Sequence, residues 1–141
     1  MPTYTVDASV FLNAFNASEA GHATSRRALE WLQNEAHPII APTLVLPEVS
    51  AAIGRGTGDP SLAGRFAETL ARLPHLVLVP LDLRLARQAA DVAAHYRLRG
   101  ADSVYVAVAV RFGSSLITLD REQAERAAPL VSVMTPAQFL G

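Results

Sequence analysis

Four acidic residues stand apart from the rest because each lies against apolar chain. They are Asp7 in Val6-Asp7-Ala8, Glu48 in Leu46-Pro47-Glu48-Val49, Asp102 just after Arg99-Gly100-Ala101, and Asp120 at the end of Leu116-Ile117-Thr118-Leu119. Most other acids, such as Glu30, Glu35, Glu122 and Glu125, have polar neighbours. Burying a carboxylate is costly unless it is paired, hydrogen-bonded or metal-bound. Four ionised carboxylates in one pocket would repel by about 3 kcal/mol per pair at ~5 Å and an effective dielectric near 20. Such a pocket must either take up protons or recruit a cation. The chain has no cysteine, and its four histidines show no His-x-x-x-His spacing. The ligands would then be oxygen only, which suits Mg²⁺ or Mn²⁺ rather than zinc. Ions of that kind polarise a phosphodiester and generate a hydroxide nucleophile near neutral pH, so hydrolysis at phosphorus is the chemistry that follows.

Each acid also has an ordinary explanation. Asp7 and Asp102 can cap helices, Glu48 can be a solvated helix residue, and Asp120 can simply end a strand. Asp82, in Val79-Pro80-Leu81-Asp82-Leu83, is a decoy of the same appearance and reads as a helix N-cap. Gly54-x-Gly56-x-Gly58 lacks a following lysine and runs into Pro60, so it is a connector rather than a phosphate loop. No Gly-x-Ser-x-Gly elbow is present, which argues against a serine hydrolase. Arg97, Arg99, Arg111 and Arg121 flank the acidic segments and suit either phosphate contacts or solvated positions.

The elements that must carry these acids alternate between strand and helix. Strands are expected at Tyr4–Asp7, Pro38–Ala41, Leu76–Pro80, Ser115–Leu119 and Val131–Met134. Helices are expected from near Ser9, at Ala23–Asn34, Thr43–Ile53, Ser61–Leu73, Asp82–Tyr96 and Arg121–Ala127, with Thr135-Pro136 opening a last short one. Pro47 is compatible with its helix only within the first turn. Residues 54–60 read as a loop on composition. The stretch from Val104 to Phe112 stays open. Alternating Val104, Val106, Val108 and Val110 fit a strand, while Tyr105, Val108, Ala109 and Phe112 fit a helix. The whole pattern indicates a three-layer α/β domain with a mainly parallel, roughly five-stranded sheet. In such sheets ligands gather beyond the carboxyl ends of the strands, where Asp7 and Asp120 fall.

Composition sets the outer limits. The chain has 141 residues, half of them apolar, which fits a single domain spanning 1–141 with a core that needs no staples. Net charge is −1 and every one of the 12 basic residues is arginine, so phosphate binding would need a local patch and no lysine chemistry is open. The opening Met-Pro-Thr-Tyr-Thr-Val-Asp does not read as a signal peptide, and no apolar run is long enough to span a bilayer. A soluble cytoplasmic protein with no membrane partner is expected.

The segments around the four acids resemble the motifs of PIN domains. Val6-Asp7-Ala8-Ser9-Val10-Phe11-Leu12 is similar to the opening strand–helix motif and Leu46-Pro47-Glu48-Val49-Ser50-Ala51-Ala52 to the second acidic motif. Arg99 to Ala109 resembles the third and Leu116-Ile117-Thr118-Leu119-Asp120 the fourth. Size and lack of accessory regions resemble the VapC-type toxins of bacterial toxin–antitoxin pairs. The resemblance implies a Mg²⁺- or Mn²⁺-dependent endoribonuclease, a homodimer, and inhibition by a small antitoxin. It implies Asp7 and Asp102 as core metal ligands, Asp120 and Glu48 as completing residues, and Ser9 and Thr118 as hydroxyl helpers. It also implies a helix after Asp102. Cleavage would proceed by water attack on an RNA phosphodiester, leaving a 5′-phosphate and a 3′-hydroxyl.

Two other readings compete. An aspartyl-phosphate phosphohydrolase with Asp7 as nucleophile would want a second Asp two residues on and a basic partner such as lysine; Ser9 stands there, and lysine is absent. A catalytically silent PIN-fold module could use the acidic pocket to dock RNA or a partner's arginine.

Overall fold

The computed structural model describes residues 1–141. Its elements run β1 (Tyr4–Val6), α1 (Ala8–Phe15), α2 (His22–Asn34), β2 (Ile39–Pro42), α3 (Val45–Thr57), α4 (Pro60–Ala71), β3 (Leu76–Val79), α5 (Leu83–Tyr96), α6 (Gly100–Phe112), β4 (Ser115–Ile117), α7 (Arg121–Ala127), β5 (Val133–Met134) and α8 (Pro136–Leu140). The five strands form one sheet in the order β3-β2-β1-β4-β5, and every neighbouring pair is parallel. Parallel strands need crossovers, and here each is helical, so both faces of the sheet are covered. This is the three-layer α/β architecture expected from the alternation of strand and helix.

Strand order sets where a ligand can enter. The chain leaves β1 toward β2 and β3, then returns to place β4 on the other side of β1. The crossovers therefore diverge at the carboxyl ends of β1 and β4, the place where sheets of this kind take their ligands. Val6 pairs with Ile117, and the Asp7 amide donates to the Ile117 carbonyl at 3.0 Å. β1 stops one residue and β4 two residues earlier than expected. Asp7, Thr118 and Asp120 consequently lie in the turns beyond the strands.

Strand alternation divides the core. In β2, Ile39 and Ala41 join Val6, Phe11, Leu32, Val49 and Leu116 in the larger apolar cluster. Ile40 points the other way, joining Val79, Leu85, Ala89, Val104, Ala107 and Val108 where α5 and α6 cover the sheet. The stretch from Val104 to Phe112 is helical throughout. Every residue from Ser103 to Ala109 is buried, Tyr105 and Val106 in one cluster and Val104, Ala107 and Val108 in the other. A helix enclosed on nearly all sides has no polar stripe, so its periodicity carries no signal.

One expectation is overturned. Residues 54–57, read as loop, complete α3, and only Gly58 and Asp59 connect it to α4. Gly58 takes a left-handed conformation at φ 67° and donates its amide to the Gly54 carbonyl, closing the helix where only a residue without Cβ does so without strain. Asp59 then caps α4 by accepting from the Leu62 amide at 3.0 Å. Composition marked the glycines correctly as a terminus, but four residues too early. Pro47 falls in the first turn of α3, where its missing N–H costs nothing. Asp82 is indeed a cap, accepting from the Leu85 amide at 2.9 Å, and Thr135 with Gln138 forms a reciprocal capping box. No helix is long and apolar enough to cross a membrane.

Candidate active site

Asp7 ends its strand and begins its helix at once. It caps α1, accepting from the Ser9 amide at 3.0 Å through Oδ2, and is buried. Asp120 likewise caps α7, accepting from the Gln123 amide at 3.1 Å through Oδ1. Asp102 sits in the first turn of α6 rather than at its cap, which is Arg99, and Glu48 sits in the first turn of α3. Capping and a role in a site are thus compatible: one carboxylate oxygen serves the helix and the other remains free.

The four acids feel one another. Asp7 is held above the ordinary aspartate range, first by burial and also by the charge of Asp120, against the opposing hydrogen bonds from Ser9 and Gln123. Burial raises Glu48 too, with Asp7 adding repulsion and the Tyr105 hydroxyl opposing. Asp102 is pushed up to about 6 by burial and by Asp7, Asp120 and Glu48, with Arg99 pulling the other way. Three elements beyond β1 therefore direct carboxylates toward Asp7. As they stand, however, no three of these groups are close enough to enclose a metal ion.

The donor set nevertheless fits a hard divalent cation in its chemistry. It is oxygen only, partly desolvated, and mutually repelling, so added positive charge would relieve what burial has made costly. Asp7, Glu48, Asp102 and Asp120 are the residues that would hold it, after side-chain adjustment.

The hydroxyl residues take more specific places. Ser9 Oγ accepts from the Leu119 amide at 3.1 Å, tying the β1 turn to the β4 turn. Thr118 Oγ1 accepts from the Asp120 amide at 3.1 Å. Its own proton faces Gln123 Oε1 at 2.6 Å, with Asp7 Oδ2 farther off at 3.4 Å. Among the flanking arginines, Arg99 is exposed beside the site and lies 3.8 Å from Glu122. Arg111 lies at the opposite end of α6 from Asp102, nine residues and about 13 Å along the helix, and is no part of the mouth.

Two buried polar side chains at the site were not singled out from sequence. Tyr105 is fully buried and donates its hydroxyl to Glu48 Oε1 at 2.6 Å. Gln123 is also fully buried, although Glu122 precedes it and Ala124-Glu125 follows. The available signal was spacing: Gln123 and Ala127, four apart, form the inward face of α7.

A PIN domain family model matches residues 4–129. No curated protein matches the sequence. Among solved structures, VapC20 from Mycobacterium tuberculosis, described as a sarcin–ricin loop cleaving toxin, superposes with a TM-score of 0.74 at 22% identity, over 92% of this chain and 98% of that one. VapBC2 from Rickettsia felis, bound to a promoter DNA fragment, gives 0.72 at 12% identity, over 94% and 98%. FitAcB from Neisseria gonorrhoeae gives 0.72 at 17% identity, over 95% and 98%. At these identities the superpositions speak for the fold. The family model covers most of the chain and takes in all four acidic motifs, so the chain belongs to the PIN domain family.

Proposed function

We propose that the chain is a Mg²⁺- or Mn²⁺-dependent endoribonuclease of VapC type, the toxin half of a toxin–antitoxin pair. The observation that carries this reading is the electrostatic coupling of Asp7, Glu48, Asp102 and Asp120 at the carboxyl edge between β1 and β4. Membership of the PIN family supports it, as does the likeness to chains from VapBC and FitAB toxin–antitoxin complexes. On this reading the protein works in the cytoplasm as a single-domain chain, pairs with itself, and is silenced by a small antitoxin.

A bound divalent ion supplies charge neutralisation at the scissile phosphate and lowers the pKa of water. The chain's residues do the rest. Asp7 and Asp102 would hold the ion, with Asp120 and Glu48, the latter gripped by Tyr105, completing the set. Asp120, its Oδ1 engaged at the helix cap, offers Oδ2 to accept a proton from the attacking water. The new bond joins water oxygen to phosphorus; the bond from phosphorus to O3′ breaks, and O3′ takes up a proton.

The test is cleavage of a structured RNA, for instance a sarcin–ricin stem-loop, by the purified chain. Chelation should stop it and Mn²⁺ restore it, while Asp7→Asn and Asp102→Asn stay folded and inactive. Cleavage at the wild-type rate by either variant would sink the assignment.

The looseness of the carboxylates favours a second reading, a catalytically silent binding module whose acidic mouth docks an arginine of a partner. Calorimetric titration separates the two. Absence of Mn²⁺ binding would select the module.

A further inference from the structure

Gln123 is a fully buried amide whose side-chain hydrogen bonds go to residues of the acidic mouth. Its Oε1 accepts the Thr118 hydroxyl proton at 2.6 Å. Its Nε2 donates to the Asp102 carbonyl at 3.3 Å and faces the Asp7 carboxylate, whose ionised form it favours. Its backbone amide donates to Asp120 Oδ1 at 3.1 Å. One residue thus bonds to α6 and to the turn after β4 and faces Asp7, so that three of the four acids lie around it.

The bookkeeping of protons makes this more than a packing contact. Thr118 has a single hydroxyl proton, and the shorter of its two approaches is to Gln123 rather than to Asp7. The hydroxyl's acceptor side is already taken by the Asp120 amide. The Gln123 amide is therefore the neutral donor group beside Asp7, with Thr118 holding it in orientation. A buried amide offers two donors and one carbonyl; here the carbonyl accepts from Thr118 and one donor reaches the Asp102 carbonyl, leaving the other to Asp7. Because the donor is neutral, it can orient a buried carboxylate without cancelling the negative field that attracts a cation. An arginine or lysine in the same place would form an ion pair and weaken that field.

We propose that Gln123 is a positioning residue for the divalent-cation site, holding Asp7 and the first turn of α6 in register from behind. The inference rests on the metal-dependent reading given above. It assigns Gln123 no contact with substrate; the residue acts through Asp7 and Asp102.

The experiment is Mn²⁺ titration by calorimetry of wild-type chain and Gln123→Met, which keeps the length and apolar packing but removes both donor and acceptor. Loss of an outer-shell partner should weaken Mn²⁺ binding about 10-fold at a temperature where both proteins are folded. A purely structural glutamine would lower the melting temperature and leave that affinity within about twofold of wild type, which would overturn the proposal. A second measurement guards against misfolding of the variant. In ¹⁵N-labelled wild type, the Gln123 side-chain NH₂ signals should exchange slowly and shift as Mg²⁺ saturates the site. If they stay in place while the Ser9 and Gly100 amides move, the proposal is wrong. Wild-type chain that binds neither ion would remove the metal-dependent reading itself and this inference with it. Wild-type binding with unaltered Gln123→Met affinity removes only the role of Gln123.

Discussion

The two ends of β1 are built on opposite principles. At the amino end Tyr4 meets His37 and Phe139 edge-on, with ring centroids 5.8 and 5.1 Å apart, while Trp31 lies flat on His37 at 5.1 Å. These rings come from β1, α2, the approach to β2, and α8, so they clamp the carboxyl-terminal helix to the sheet. Each contact there lowers the energy of the fold. At the carboxyl end, three residues away, Asp7 is buried among like charges. That end works against folding and is held by caps and neutral donors. The contrast teaches where stability is sacrificed: the acidic end stores unfavourable electrostatics that the rest of the molecule must outweigh.

This contrast can be broken by experiment, beginning with the largest effect. Asp7→Asn and Asp102→Asn should each lower RNA cleavage by about a hundredfold or more, measured as single-turnover rates, while circular dichroism stays native. The same variants should lose the stabilisation that Mn²⁺ gives wild type. At a hundred times its dissociation constant, the ion should add about 2.7 kcal/mol to the folded state, seen as a raised melting temperature. Should Mn²⁺ stabilise Asp7→Asn as much as wild type, the ion binds elsewhere.

At the other end, Phe139→Ala should cost about 2 kcal/mol, less than a fully buried aromatic because this ring is partly exposed. Denaturant midpoints would show it, and Mn²⁺ affinity should be unaffected. A matching loss of affinity would mean that the two ends are coupled and the contrast is false.

The smallest effect is the most diagnostic of the acidic end. The folded-state value for Asp102 lies at about 6, above its ordinary 3.8, so the folded chain holds that proton more tightly than the unfolded one. Its contribution is therefore favourable below the unfolded value and is lost as pH rises through about 6. Metal-free protein should melt higher at pH 5 than at pH 7, and the raised values of Asp7 and Glu48 push the same way. Asp102→Asn should flatten part of this slope and add about 1 kcal/mol at pH 7, a figure reduced for the solvent screening of a half-exposed group. A melting temperature that rises from pH 5 to pH 7 would contradict the strain assigned to this end.

How much of this was legible beforehand differs residue by residue. Asp82 and Thr135 could be read as caps because a cap is a local event, a short polar side chain meeting an amide two or three residues on. The four acids could be singled out because carboxylates beside apolar runs are rare without a purpose. Tyr105 looked like one more apolar residue of its helix, since nothing in its own segment says that its hydroxyl meets Glu48, 57 residues away. The end of α3 was misplaced because glycine composition cannot show which of three glycines adopts the left-handed cap.

By itself, the order of residues determined the alternation of strand and helix, the absence of any cysteine ligand and which acids stand against apolar chain, because each depends on side-chain type or on neighbours within a few positions. The tertiary structure alone decided that Val104 to Phe112 is helix, that β4 lies beside β1, and that Gln123 faces the acids instead of water. Those outcomes rest on burial and on contacts between distant segments, and such energies exist only once the chain has closed on itself.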